Sequence, residues 1–169
     1  MDELSDRGGR SRLVRLVSVT FHAEHLVTGA SSGIGGWYHG TKFALEALSD
    51  CLRLELAPFG IDVVVIEPGG IATEWGGIAA DNLEKTSANG PYQRQAEAVA
   101  KSLRSETNAN RNSPPSVIAD AIAKAVTARR PKTRYKVGYG ARPLITAGNI
   151  LSDRQFDALI SRATGVPRD

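Results

Sequence analysis

Cysteine is nearly absent from this chain, which limits what can hold its fold together. Cys51 is the single cysteine among 169 residues, so no internal disulfide can form. Neither this cysteine nor the three histidines show the ligand spacing of a zinc site, and we expect no metal centre. The fold must therefore rest on an apolar core, as is usual for proteins of the reducing cytoplasm.

Long apolar runs and a strong excess of one charge are also lacking. No stretch approaches the roughly 20 apolar residues that span a bilayer, and the acidic start MDELSD is unlike a signal peptide. The formal net charge is only +3. We therefore expect a cytoplasmic protein that binds neither membrane nor nucleic acid. A basic group within 129–136 keeps nucleic-acid binding as an alternative, although basic residues after a helix also complement the helix dipole.

The first half of the chain alternates between predicted strands and a helix. Residues 1–11 are polar and predict a loose terminus, and residues 12–21 and 25–29 have the pattern of short strands. Leucines at spacings of three and four predict an amphipathic helix from Tyr38 to about Leu56, ended by Pro58 and Gly60. Four consecutive β-branched residues from Val63 to Ile66 then indicate a strand buried on both faces.

The second half has a polar stretch followed by further regular elements. Residues 76–113 are expected to be irregular and mobile, with a single helix from Tyr92 to Leu103. A helix after Pro115, a strand at 134–139 and a final helix with a Ser152–Gln155 capping box follow. We interpret residues 1–169 as a single domain, and the alternation of strands and helices as typical of an α/β fold.

A glycine-rich turn, TGASSGIG at 28–35, follows a short apolar segment and precedes a helix. In that setting, small residues let the backbone approach a pyrophosphate, and the N–H groups at the helix N-terminus bind it. Glycine and serine are also common in ordinary turns. The turn alone therefore leaves both a nucleotide site and a structural turn open.

Tyr38 and Lys42 lie four residues apart in the predicted helix and so share one of its faces. A nearby ammonium group favours the phenolate form of a tyrosine, whose ordinary pKa is about 10, and brings it towards acid–base chemistry near neutral pH. The same spacing also occurs in surface pairs without any function. Whether Tyr38 and Lys42 take part in catalysis therefore depends on the residues around them.

Residues 38–75, YHGTKFALEALSDCLRLELAPFGIDVVVIEPGGIATEW, resemble the catalytic helix and following strand of the short-chain dehydrogenase/reductase family. The turn at 28–35 resembles the family's coenzyme turn, and residues 114–165 resemble its C-terminal region. The resemblance implies a Rossmann-like α/β fold, here an incomplete doubly wound parallel sheet. It also implies hydride transfer between an alcohol or carbonyl substrate and NAD or NADP.

By this resemblance, Tyr38 is the catalytic acid/base, and Lys42 lowers its pKa and holds the nicotinamide ribose. Coenzyme contacts are implied for the residues of the turn, for the catalytic pair itself and for three positions after the next strand: Thr28, Gly29, Ser31, Ser32, Gly33, Ile34, Gly35, Tyr38, Lys42, Pro68, Gly69 and Thr73.

The sequence departs from the family between Gly35 and Tyr38, where the family has more than a hundred residues. The family's catalytic serine lies about thirteen residues before the tyrosine, a position held here by His25, so we assign no catalytic serine. An alternative hypothesis is therefore a truncated, catalytically inactive remnant that at most associates with itself or a partner. Loss of half the sheet would expose apolar helix faces and the strand DVVVIE, which favours a homo-oligomer.

Overall fold

A small parallel sheet organises the molecule, whose computed structural model describes residues 15–19 and 34–167. Strands β1 (Arg15–Val19), β2 (Asp62–Pro68) and β3 (Arg134–Val137) lie side by side in that order, all parallel. Arg15 pairs with Asp62 in the first ladder, and Val65 pairs with Arg134 in the second. The predicted strand at 12–21 is thus confirmed at its centre, while the predicted strand at 25–29 lies outside the described residues.

Seven α-helices occur within the described ranges. They are α1 (Ile34–Leu56), α2 (Trp75–Ser87), α3 (Gln93–Leu103), α4 (Glu106–Arg111), α5 (Ser116–Thr127), α6 (Ala141–Ile150) and α7 (Asp153–Thr164). A short 3₁₀ turn at Ala57–Phe59 and the following Gly60 end α1, as predicted. The φ of Gly60 is +74°, in the left-handed region that favours glycine. The parallel sheet with its helices confirms an incomplete Rossmann-like α/β fold.

Strand β2 is the centre of the sheet and of the core. Val63, Val64, Val65 and Ile66 are all buried, as their β-branched sequence predicted. On one face, Val64 and Ile66 pack against Ala121 and Ala125 of α5. The other face packs against α1. On that side, the Arg134 guanidinium of β3 hydrogen-bonds to both Glu67 of β2 and Glu46 of α1. The prediction that the edge of DVVVIE is exposed was wrong, since β1 and β3 hydrogen-bond to its two sides.

The expectation of an irregular segment at 76–113 was also wrong in its secondary structure. Besides the predicted helix, which runs as α3, the segment contains most of α2 and all of α4. Helices α2 and α3 pack together through Leu83, Ala96 and Val99. The sequence shows only a weak helical period in α2, whose first two turns consist largely of glycine and alanine, and α4 has only six residues.

No helix in the described part of the chain has both the length and the apolar composition needed to cross a membrane. The same residues contain no group of three or more His, Cys, Asp or Glu side chains placed to hold a metal ion.

Candidate functional site

Tyr38 and Lys42 meet near the start of α1. The Lys42 Nζ atom lies 5.2 Å from the centre of the Tyr38 ring, a distance at which the ammonium charge is attracted to the π face. His39 contacts the same ring edge-on, with 5.4 Å between ring centres. The structure therefore brings together the two residues that their spacing placed on one helix face.

The end of β2 is fixed by backbone hydrogen bonds beyond the regular sheet. Gly69 N donates to Val137 O at 2.8 Å, and Gly70 N donates to Tyr139 O at 2.8 Å. Pro68 and Gly69 are buried here. A Cβ atom at Gly69 would lie 2.1 Å from the carbonyl oxygen of Tyr139, so only glycine fits. The predicted Pro68–Gly69 pair is thus held at the carboxyl end of the central strand, the edge where parallel sheets bind their ligands.

Trp75, the first residue of α2, joins this strand end to the tyrosine. Its indole lies against the Tyr38 ring with 5.6 Å between ring centres and an interplanar angle of 36°. Thr73, the third predicted position after β2, is exposed two residues earlier. Sequence reasoning missed Trp75 as a site residue, although its place directly after the strand end and Thr73 was the available signal.

Most of the predicted coenzyme turn cannot be placed. Thr28, Gly29, Ser31, Ser32 and Gly33 lie outside the described residues. Ile34 and Gly35 are the first residues of α1. These two residues, predicted as the end of the turn, thus belong to the helix, which begins before the predicted start at Tyr38.

A charged cluster lies further along the same face of α1. Tyr38, Lys42, Glu46 and Asp50 recur at every fourth position, so they form one stripe. The Arg134 guanidinium donates to Glu46, to both oxygens of Asp50 at 2.8 and 2.9 Å, and to Glu67 at 3.2 Å. The cluster links this stripe of α1 to both β2 and β3.

The cluster changes the pKa values of two of its members, Asp50 and Arg134. The hydrogen bond from Arg53, together with the charge of Arg134, lowers the pKa of Asp50 below its ordinary value, against a smaller effect of burial. Burial acts to lower the pKa of Arg134, but its hydrogen bond to Glu46 and the nearby carboxylates together outweigh that effect and raise it. The sequence analysis grouped Arg134 with other basic residues, but its guanidinium is hydrogen-bonded to carboxylates of the protein itself.

The described residues fit the nicotinamide end of a dinucleotide. The phenol of Tyr38 lies beside the Lys42 ammonium group and the Trp75 indole, and Trp75 follows the glycine-containing end of β2 at the carboxyl edge of the parallel sheet. The donors for a pyrophosphate would come from 28–33, which lie outside the described part of the chain. The described part of the site therefore consists of a tyrosine–lysine pair and a small-residue strand end.

Comparison with known proteins agrees with this geometry. The sequence profile of the short chain dehydrogenase family matches residues 35–83, which hold the Tyr38 helix, β2 and most of α2. Mouse retinol dehydrogenase 5 is 31% identical over 163 residues, covering 90% of this chain and 48% of that protein. The uncharacterized oxidoreductase YbbO of Escherichia coli K12 is 30% identical over 146 residues, covering 82% and 49%.

A third relative matches a shorter part of the chain. The oxidoreductase BOA17 of Botryotinia fuckeliana is 37% identical over 101 residues, covering 60% of this chain and 35% of that protein. The chain thus spans half or less of the length of these three relatives.

Proposed function

Because the chain belongs to the short-chain dehydrogenase/reductase family, we propose that it is an NAD(P)-dependent oxidoreductase acting on an alcohol or carbonyl compound. The observation that carries this proposal is the Tyr38 ring, which lies against Lys42 and Trp75 beside the fixed end of β2. A tyrosine in such surroundings is placed to exchange a proton with a bound substrate.

In this proposal Tyr38 is the general acid/base. Its hydroxyl donates a proton to the carbonyl oxygen during reduction and accepts it from the alcohol during oxidation. The Lys42 ammonium favours the phenolate that remains after donation and would hydrogen-bond the nicotinamide ribose. Pro68, Gly69 and Thr73 would line the nicotinamide, which supplies or takes the hydride when the coenzyme is bound.

The alternative is a truncated, catalytically inactive remnant that at most self-associates or binds a partner. Two observations favour it: the chain spans 35–49% of the three relatives, and α1 exposes an apolar outer face that includes Phe43, Leu48 and Leu54. Catalysis by positioning tolerates little misplacement, so an incomplete coenzyme site would abolish turnover.

The two proposals differ in coenzyme binding. We would titrate the purified, monodisperse protein with NADPH and with NADH, following nucleotide fluorescence and thermal stability together. Saturable binding with a gain in melting temperature supports the enzyme, because a ligand stabilises the state that it binds. A folded sample that binds neither nucleotide would reject the enzyme and leave the remnant.

Once turnover of an alcohol or carbonyl is found, Tyr38→Phe tests the proton donor. We expect the rate to fall by about 10²–10⁴-fold, the usual contribution of a positioned acid/base, with coenzyme affinity retained. Tyr92→Phe is the matched control, because Tyr92 is an exposed tyrosine at the start of α3. Equal rates for the two variants would contradict the role of Tyr38.

A further inference from the structure

The amino edge of the sheet, where the parallel strands begin, carries exposed apolar side chains. Because α1 packs on the sheet and only a short turn joins it to β2, the helix and the strand run in opposite directions. The end of α1 and the turn after it therefore lie at this edge. Leu54 in the last turn of α1 is 78% exposed, and Phe59 is 76% exposed. Covering these two side chains with an apolar phase would be favourable.

Basic side chains lie at the same edge, in the segment that joins α5 to β3. Arg129, Arg130 and Lys132 are all exposed in this segment, which ends where β3 begins at Arg134. In the described part of the chain, Arg130 and Lys132 have no carboxylate within ion-pair distance, in contrast to Arg134. Glu55, exposed near the end of α1, offsets one of these charges, so a positive excess remains.

The ion pair between Asp50 and Arg134 shows that the two groups adjoin. Arg134 donates to both oxygens of Asp50, at 2.8 and 2.9 Å, and so joins α1 to the start of β3. From that contact, Leu54 lies one turn further along α1, about 6 Å towards the amino edge. Lys132 lies two residues back along the chain, about 7 Å in the same direction. We define the amino-edge surface as Leu54, Phe59, Arg129, Arg130 and Lys132.

A bilayer with anionic headgroups complements both parts of this surface. Its phosphate and carboxylate groups attract guanidinium and ammonium groups, and each basic residue near an anionic leaflet strengthens binding about fivefold. The Phe59 ring and the Leu54 side chain can enter the boundary between headgroups and acyl chains. A nucleic acid matches the charge, but it offers no hydrocarbon to Leu54. The sequence alone predicted no membrane binding, because only the fold brings these residues together.

We propose that the amino-edge surface docks the protein on anionic lipid bilayers as a peripheral membrane protein. Tyr38 lies near the other end of α1, about 27 Å from Leu56 along the helix axis. Docking would therefore leave the candidate site facing away from the lipid and open to water. The proposal does not depend on the proposed function, since the amino-edge surface shares no residue with the candidate site.

Flotation with lipid vesicles on a density gradient tests the proposal and separates bound protein from aggregates. We expect the full chain to float with vesicles of equal parts phosphatidylcholine and phosphatidylserine, but not with vesicles of phosphatidylcholine alone. Added salt should release the protein, because salt screens exposed charges. A folded sample that does not float with the anionic vesicles at low salt would overturn the proposal.

Two pairs of substitutions separate this surface from general charge attraction. Arg130→Gln with Lys132→Gln should weaken vesicle binding by about twentyfold, because two cations are lost from the membrane side. Arg94→Gln with Lys101→Gln is the matched control, because it removes the same charge from exposed positions on α3 and should bind nearly like the wild type. Equal losses in the two variants would show attraction by net charge and would reject the amino-edge surface.

The apolar contact is tested in the same way. Phe59→Ser should weaken vesicle binding by about tenfold, because the ring no longer leaves water. Ile78→Ser removes an exposed apolar side chain from α2, near the opposite edge of the sheet, and should bind like the wild type. Unchanged binding by Phe59→Ser would contradict the proposal.

Two other occupants of the surface would each overturn the proposal. Retention of duplex DNA by a wild type that does not float with vesicles would make a nucleic acid the partner. A wild type that does not float, but whose mass in solution falls on Phe59→Ser substitution, would make a second copy of the chain the partner.

Discussion

At the scale of single residues, the end of β2 depends on the absence of a side chain. A methyl group at Gly69 would lie 2.1 Å from Tyr139 O and 2.6 Å from Ala141 N, and both are backbone atoms that cannot rotate away. We expect Gly69→Ala to lower the free energy of unfolding by about 2 kcal/mol, within the range measured for overpacking. Urea denaturation of the variant and the wild type measures the difference.

Gly77→Ala is the matched control for that substitution. No atom lies within 4 Å of the position that its Cβ would take, and the residue is inside α2. Alanine should therefore raise the stability by about 0.5–1 kcal/mol through helix propensity alone. A similar loss of stability in both variants would show that crowding at Tyr139 is not the cause.

The residues of the candidate site differ in how far the sequence could identify them. Tyr38 and Lys42 were found because a helix fixes the relation of positions four apart. The contact between Tyr38 and Trp75 was not found, because it depends on where the chain goes after β2. That path is set by hydrogen bonds to Tyr139 and Ser113, which are far away in the sequence.

At the scale of elements, Arg134 joins α1 to the sheet. The substitution Arg134→Met removes the guanidinium that the buried carboxylates of Glu46 and Glu67 share. We expect a loss of about 2–3 kcal/mol, at or below the low end of the range for a fully buried pair, because the Arg134 side chain is 29% exposed. Chemical denaturation measures this loss.

Two variants separate charge burial from simple loss of a side chain. Adding Glu46→Gln and Glu67→Gln to Arg134→Met should recover part of the stability, because amides are cheaper to bury than carboxylates. Arg104→Met breaks an exposed network with Asp81 and Glu84 and should have a clearly smaller effect than Arg134→Met. Equal losses at Arg104 and Arg134 would contradict the importance of burial.

The same cluster predicts a dependence of stability on pH. The pKa of Asp50 is lowered in the folded state, first by its hydrogen bond to Arg53 and also by the charge of Arg134. Its contribution is therefore complete above the ordinary value of 3.8 and is lost as the pH falls through the lower, folded-state pKa. Thermal unfolding between pH 2 and 6 should show this decline, and Asp50→Asn should make it shallower. An unchanged slope in Asp50→Asn would contradict the assignment.

Some elements could be predicted from local sequence and others could not. The β-branched run of β2 and the Ser152–Gln155 capping box at the start of α7 were confirmed, because each follows from neighbouring residues. Helices α4 and α6 were missed, and α2 was taken for irregular chain. Helix α2 packs on α3 and α6 packs on β3, and local patterns show such contacts poorly, while α4 has only six residues.

At the scale of the whole molecule, the fold class was predictable because strand and helix patterns alternate along the chain. The position of β2 inside the sheet was not. Its exposure was predicted from the shortened sequence, whereas β1 and β3 pair with its two sides. The ion pairs of Arg134 were missed for the same reason. Its three carboxylate partners lie on two other elements, far away in the sequence, so the sequence showed Arg134 only as a member of a basic group.

The outer face of α1 leads to the last prediction, which concerns association. Phe43, Leu48 and Leu54 are exposed on this helix, and Phe59 is exposed just after it. Large apolar side chains exposed on one helix tend to be buried between protein chains, so we expect the mass in solution to rise with concentration. Light scattering after size-exclusion chromatography measures it. Leu48→Lys with Leu54→Lys should give monomers with an unchanged circular dichroism spectrum, whereas Ile150→Lys, also at an exposed position, should associate like the wild type. A wild type that stays monomeric at all concentrations would show that this face does not join two copies.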